Sequence, residues 1–562
     1  VEHTASTPEG QQRQDPARAP SRPHVTITGV AFNDGTALTI GSNDIIAIVG
    51  PNNAGKSALL KEISVWLTSG NRAVTKIATA LSFTLGGDER HLLSWVARVG
   101  RKTTDGGWQL PAGGFGKGSV ESIWRNTADN GLQGLVSLFT LHLNTEARLV
   151  AASPVELPNL STQFPQHPLH EFYLDDRLER DLERLFRRAF RQGIVVNRGA
   201  GKQTMLQVGE RPRIPEGGDR QSFEFLQAVN SMLPLHEQGD GMRSFAGVLV
   251  SVLGTDRDIF LVDEPEAFLH PPQALLLGKC LAEKTPGDRQ LFTSTHSSDV
   301  LRGLLAQPGE RLRVLRITRD GDKNRINELG SADIRKLWAD PVLRFSRILE
   351  GLFHDAVIVC EGDADCRFYE AVTDATFGED SRPDILFAHG AGKSRTPVIA
   401  TALKAIGVPV RVVLDFDALA DEPLLSNLCS ILGGDWNKVE ADLRTVVASI
   451  NSKRAELQLK EVRESIVKLL SEVRTPTLPD NAANAIRAIL KKGSAWAEAK
   501  RIGKAFIPAG QALTAYTRLH RYLADIGLHI VEVGEVESFC RTIGSHGPAW
   551  VSDVVQRDLS SD

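Results

Sequence analysis

Apolar residues in this chain gather into short runs that end abruptly at glycine or at charge. "VTITGVAF" (25–32), "TALTI" (36–40), "IIAIVG" (45–50), "DIFLV" (258–262), "LFTST" (291–295) and "LRVLRIT" (312–318) read as strands. So do "AVIVC" (356–360), "ILFAHG" (385–390) and "VRVVLDFD" (410–417). Helical patterns separate these runs, which predicts α/β architecture with two successive units. One amphipathic helix is expected near 174–192, with Leu178, Leu182, Leu185 and Ala189 on one face and Arg180, Arg184, Arg187, Arg188 and Arg191 on others. That basic face suits DNA or another subunit, or simply water. Residues 331–353 read as a helical connector capped by Ser331. Residues 422–525 read as a helical insertion, with Leu457, Val462, Ile466, Leu469 and Val473 on one long helix, before a last strand "LHIVEV" (528–533).

Residues 1–24 are rich in Pro, Gln and Arg without apolar periodicity, the pattern of a disordered tail. The expected division is thus 1–24 tail, 25–330 first domain, 331–353 connector and 354–562 second domain. The 562-residue length suits two or three domains, and 41% hydrophobic with 24% charged residues is ordinary for a globular protein. A formal net charge of −4 excludes a general polycation, so any nucleic-acid contact must come from local basic patches. Five cysteines without CxxC spacing indicate neither zinc nor a disulfide framework. With no apolar run of membrane-spanning length and no secretory signal pattern, the expected setting is the cytoplasm.

Candidate chemistry begins at "IIAIVGPNNAGKSALL", a buried strand, a Gly-x4-Gly-Lys-Ser loop and a helix start. Gly50, Asn53 and Gly55 let backbone N–H groups close around phosphate, Lys56 supplies charge, and the Ser57 hydroxyl suits Mg²⁺. "DIFLVDEPEAFLHP" adds Asp263 for Mg²⁺ and Glu264 to polarise the attacking water. His296, at the tip of the next strand, is expected to sense the γ-phosphate. Residues 25–330 therefore resemble an ABC-type ATPase head of the SMC and RecF kind. That resemblance implies two heads closing over ATP, with a signature motif of one meeting the nucleotide of the other. In "EQGDGMRSFAGVLVSVL", Gly239, Gly241, Arg243 and Ser244 read either as a variant signature or as a glycine turn capping a helix.

"VIVCEGDADCRF" runs a strand straight into Glu361, Asp363 and Asp365. Fifty residues on, "VRVVLDFD" ends in Asp415 and Asp417, and "LHIVEVGEVESF" carries Glu532, Glu535 and Glu537. Carboxylates at neighbouring strand ends converge on one edge of an α/β sheet, and a divalent cation relieves their repulsion. Glu-Gly followed by Asp-x-Asp resembles the Toprim domain, and a P-loop head followed by Toprim resembles the OLD-family nucleases, which include the ATPase–nuclease subunit of the Gabija anti-phage system. The resemblance implies Glu361 as general acid/base or metal ligand. It makes Asp415 and Asp417 metal ligands, with Asp365, Glu535 and Glu537 completing the site. A basic residue near the scissile phosphate is also implied, and Lys500, Lys504 and Lys393 are the candidates. The expected protein is an ATP-regulated, Mg²⁺- or Mn²⁺-dependent DNA endonuclease in anti-phage or mobile-element defence. It would assemble as a homo-oligomer, dimer or tetramer, with a helicase-like subunit as a further partner. The alternative is an ATP-switched DNA clamp or regulatory subunit with a non-cleaving Toprim domain. Topoisomerase chemistry would need one of Tyr173, Tyr369, Tyr516 or Tyr522 in a DNA-binding motif, and none is recognisable.

Overall fold

The computed structural model describes residues 22–111, 113–159, 165–306, 311–329, 347–377, 381–390, 392–453, 459–473, 475, 477–491, 495–544 and 546–557. Most of the expected tail, and the connector's Ser331, lie outside the described residues. The chain forms two compact units, one of residues 1–49 with 53–328 and the other of 329–562 with 50–52.

The first unit is built on a six-stranded sheet in the order Lys323–Leu329, Leu312–Asp320, Ile45–Val49, Gln290–Ser294, Ile259–Asp263, Thr140–Leu143. The last five pair in parallel. All five residues of Ile45–Val49 and of Gln290–Ser294 are buried, as expected of strands covered on both faces. One strand therefore separates the phosphate-loop strand from the one ending in Asp263, and all three aim their C-terminal ends at one edge. Helix Asp240–Leu253 is apolar nearly all round, and every residue from Ser244 to Val252 is buried.

The arginine-rich helix expected near 174–192 is Asp176–Phe190, capped by Asp175, whose carboxylate accepts from the Arg177 N–H (2.7 Å). Arg180, Arg184 and Arg188 face solvent, while Arg187 bonds Glu210 and Glu183. Glu179 on the same helix is fully buried, and its charge is met by Arg198, Arg211 and Arg220.

The second unit carries a four-stranded, wholly parallel sheet in the order Ile385–His389, Ala356–Cys360, Val410–Leu414, Leu528–Ile530. The last strand stops at Ile530, short of the expected 528–533, because the chain turns at Val531–Gly534. Helices Glu422–Leu432, Glu440–Asn451, Leu459–Glu472, Asp480–Lys491, Ala495–Ile502 and Gln511–Asp525 lie between the third and fourth strands. The expected long helix is Leu459–Glu472. Its expected face, Val462, Ile466, Leu469 and Val473, is half-buried, whereas Val467 (58%) and Leu470 (43%) off that face are exposed. Leu457 lies outside the described residues.

Candidate functional site

Two polar constellations sit at the C-terminal edges of the two parallel sheets, one in each unit.

In the first unit the loop after Ile45–Val49 makes two left-handed turns, at Asn53 (φ 59°) and Gly55 (φ 101°). A Cβ on Gly55 would stand 2.7 Å from Ile77 Cδ1, so only glycine fits. The loop is held from behind by Asn324, whose amide donates to the Ala54 carbonyl (2.8 Å) and which is itself bonded to Asn33. Lys56 begins helix Lys56–Ser69 and is 3% exposed. Burial pushes its ammonium down to about 8, against the pull of Glu264, Glu266 and Asp263. Ser57, next along that helix, is half-buried.

The Asp263 carboxylate accepts from Ser294 Oγ on the neighbouring strand. Glu264 has a left-handed backbone (φ 47°), a strain of roughly 1–2 kcal/mol for a residue with a Cβ. Its carboxylate lies 3.0 Å from His296 Nε2. Burial and the nearby Lys56 charge lower the His296 imidazole, which favours its neutral form. Glu266, two residues on, accepts from Thr295 Oγ1 (2.9 Å) and the His296 N–H (2.6 Å), and burial raises its carboxyl. Thus Asp263, Glu264, His296 and Lys56 share one pocket edge.

The signature candidates fare differently. Gly239 and Asp240 are exposed where helix Asp240–Leu253 begins, and Gly241 packs against the Phe268 carbonyl, where a Cβ would come within 2.7 Å. Ser244 differs from the expectation of a surface signature residue: it lies one turn into the helix with no exposed surface.

In the second unit Glu361 follows strand Ala356–Cys360, and Asp415 and Asp417 follow Val410–Leu414. One oxygen from each of these three carboxylates lies within 4.8 Å of the others, a spacing that a single hard cation can bridge. The backbone sets the cluster: the Asp415 N–H donates to Glu361 Oε1 (3.0 Å), and the Gly392 N–H to the Glu361 carbonyl (2.9 Å). Crowding shows in the titrations. Burial, then the Glu361 charge, pushes Asp415 up to about 7, and burial and Asp417 raise Glu361. Burial would also raise Asp417, but Lys393 and Lys500 outweigh it and hold it low.

Asp365 opens helix Asp363–Thr376 and accepts from the Gly362 N–H (2.9 Å). Burial and the Glu537 charge raise it, and burial and Glu537 likewise raise Glu535. Glu537 accepts from the Gly547 N–H (2.9 Å). These three carboxylates adjoin the trio without entering it.

Of the basic candidates, Lys500 Nζ stands 2.8 Å from Asp415, 3.5 Å from Asp417 and 4.0 Å from Glu535. Lys393 Nζ is 2.8 Å from Asp417. Lys504 must be corrected: it pairs with Glu532 (3.0 Å) and lies over the Tyr516 ring, not on the trio. Three residues separate Lys500 from Lys504, but helix Ala495–Ile502 ends between them and turns the second lysine away. Gly534 (φ 113°) fixes this arrangement, since a Cβ there would meet the Lys500 carbonyl at 2.0 Å. The Gly534 carbonyl accepts from the Phe416 N–H (2.7 Å), between the two aspartates.

Sequence reasoning passed over Arg148, Glu266 and Asn324, whose roles depend on burial. Only Glu266 left a signal, a third acid in "DEPEAF".

Comparisons with known proteins agree with this division. Residues 148–302 match the family described as "AAA domain, putative AbiEii toxin, Type IV TA system". Residues 352–417 match "Overcoming lysogenization defect protein-like, TOPRIM domain". The chain is 26% identical over 210 residues to the Old nuclease of Escherichia phage P2, a match covering 36% of this chain and 34% of that protein. It spans only about a third of that relative. A 38-residue stretch, 7% of this chain, is 53% identical to 14% of the hemin import ATP-binding protein HmuV of Nitrobacter winogradskyi. Among solved structures, an SMC head bound to the C-terminal winged-helix domain of ScpA is 10% identical, with 55% of this chain and 99% of that one covered, at a TM-score of 0.34. The chain thus combines an AAA-type ATPase domain with an OLD-like Toprim domain, the α/β class expected of it.

Proposed function

We propose that this chain, an ATPase domain joined to an OLD-like Toprim domain, is an ATP-regulated, divalent-metal-dependent DNA endonuclease. The observation that carries the reading is the convergence of Glu361, Asp415 and Asp417 with a lysine at hydrogen-bond distance. The donor set is all carboxylate oxygen, and the buried Asp417 Oδ1 is met only by Lys500 Nζ at a long 3.5 Å among the described residues, which fits a hard cation. Mg²⁺ or Mn²⁺ held by the trio, with Asp365, Glu535 and Glu537 alongside, would supply an activated water and stabilise the leaving oxygen. Glu361, its carboxyl raised by burial, takes the proton of the attacking water. Lys500 leaves Asp415 to meet the negative charge growing on the phosphate, and Lys393 steadies Asp417 from the other side.

In the ATPase domain Lys56 and the loop N–H groups would hold the phosphates, Ser57 and Asp263 would hold Mg²⁺, and Glu264, beside His296, would orient the attacking water. Among the described residues no helix is long and apolar enough to cross a membrane, and all five cysteines are free, in keeping with a cytoplasmic setting. The defence role, assembly into two or four copies and a helicase-like partner rest on the family resemblance alone. A non-cleaving clamp has less support, because Lys500 stands within the cluster where a basic residue is needed.

Mn²⁺ titration of chelator-treated protein, followed by electron paramagnetic resonance, tests the metal site directly. Asp415→Asn with Asp417→Asn should weaken Mn²⁺ binding by about 10²-fold and abolish DNA cleavage. Unchanged Mn²⁺ affinity would reject the site.

A further inference from the structure

Arg148 has no exposed surface, yet its guanidinium makes no ion pair at hydrogen-bond distance among the described residues. Its Nη1 donates to the carbonyl of Asp263 and to that of Glu264 (2.8 Å), and its Nη2 to Thr145 Oγ1 (3.2 Å). Nε has no hydrogen-bond partner among the described residues. A buried cation with one idle donor is a poor stabiliser, and an apolar side chain would fill the same space with less desolvation. What the arginine does supply is two hydrogen bonds to consecutive carbonyls at the end of strand Ile259–Asp263, where the sheet ladder stops.

Those carbonyls belong to the two carboxylates of the nucleotide pocket. Glu264 holds a left-handed backbone that a residue with a Cβ keeps only when its neighbours fix it. On one side the Glu264 N–H meets the Ser294 carbonyl and Oγ, each at 3.1 Å. On the other side Arg148 grips the carbonyls. The helix that carries it, Thr145–Ala151, is itself wedged in place: a Cβ on Gly247 of helix Asp240–Leu253 would fall 2.0 Å from the Arg148 carbonyl. The arginine therefore approaches from a rigid support.

We infer that Arg148 is a positioning residue for ATP hydrolysis, holding the main chain of Asp263 and Glu264 in the turn that delivers the Glu264 carboxylate to His296. This rests on the reading of Glu264 as the residue that orients water. Arg148 has no exposed surface and spends its hydrogen bonds on the Asp263 and Glu264 carbonyls and Thr145 Oγ1, so its loss acts on turnover and leaves binding intact.

The test compares Arg148→Met, which keeps the bulk, and Arg148→Lys, which keeps the charge, with Glu264→Gln, all in the full chain. Three quantities are measured: affinity for a non-hydrolysable fluorescent ATP analogue, the single-turnover hydrolysis rate, and amide hydrogen exchange over residues 263–267. Arg148→Met should lower the rate about 10²-fold with affinity held within about threefold, and should speed exchange at Glu264. Arg148→Lys should recover part of the rate, since one ammonium can still reach one carbonyl. An unchanged rate, an unchanged exchange profile, or a parallel collapse of rate and affinity would overturn the inference. Wild-type turnover in Glu264→Gln would instead overturn the reading of Glu264, and exchange in Arg148→Met would then decide the role of Arg148 by itself.

Discussion

The two polar edges of this protein are built alike and charged differently. Each gathers acids where parallel strands end, but the nucleotide pocket buries a lysine until its ammonium falls to about 8, whereas the Toprim edge crowds carboxylates until Asp415 rises to about 7. In the first, burial works against a cation that incoming phosphate would restore. In the second, six carboxylates face Lys393 and Lys500, and burial would drive that same Lys500 down were Asp415 and Asp417 not holding its proton firmly. The lesson is that burial alone does not tell which way a site is incomplete. What tells is which group burial drives toward its neutral form: Lys56 at one edge, whose charge an anion would restore, and Asp415 at the other, whose charge a cation would restore.

The sharpest way to break the comparison is to remove a cation from the Toprim edge. Lys500→Ala should cut DNA cleavage about 10²-fold in a plasmid-nicking assay, because no other ammonium among the described residues touches Asp415. Lys504→Ala, which loses a half-exposed pair with Glu532, should change it by less than about threefold. Equal losses in both would mean that the lysine beside the trio has no special part.

A smaller effect separates the edges by pH. The trio must shed the Asp415 proton to take a metal, so Mn²⁺ affinity should rise by about tenfold per unit up to pH 7 and then flatten. Nucleotide affinity should move the other way, weakening above pH 8 as Lys56 in the empty pocket loses its proton. The proton on Asp415 is bound more tightly folded than unfolded, so its contribution to the metal-free unit is fully present below the ordinary value of 3.8 and is lost as pH rises from there to about 7. Calorimetric titrations from pH 5.5 to 9 would show the two trends, and parallel slopes would contradict the contrast drawn between the edges.

These edges were legible in the sequence to the extent that their chemistry is local. The phosphate loop is one continuous stretch, and Glu361, Asp415 and Asp417 each follow directly on an apolar run, so strand and site announced each other. What packing decides was not legible. Lys500 and Lys504 differ only by where a helix ends, and Ser244 sits where helix Asp240–Leu253 is buried on every side. Arg148 gave no sign at all, since an arginine in "NTEARLVA" reads as solvated until Asp263 and Glu264 are brought over it. The helix Leu459–Glu472 shows the converse: its apolar periodicity was plain, but periodicity does not say how deeply a face is covered, and Val462, Ile466 and Leu469 reach only half-burial.

The central claim is that cutting belongs to the Toprim carboxylates and that ATP governs it from a separate site. The most direct measurement incubates plasmid and linear DNA with Mg²⁺ or Mn²⁺ and wild type, Glu361→Ala or Lys56→Ala, each with and without ATP. The account predicts that Glu361→Ala cuts nothing while still hydrolysing ATP, and that Lys56→Ala still cuts but no longer responds to ATP. Absence of cutting by wild type in every condition, alongside Lys56-dependent ATP hydrolysis, would contradict it.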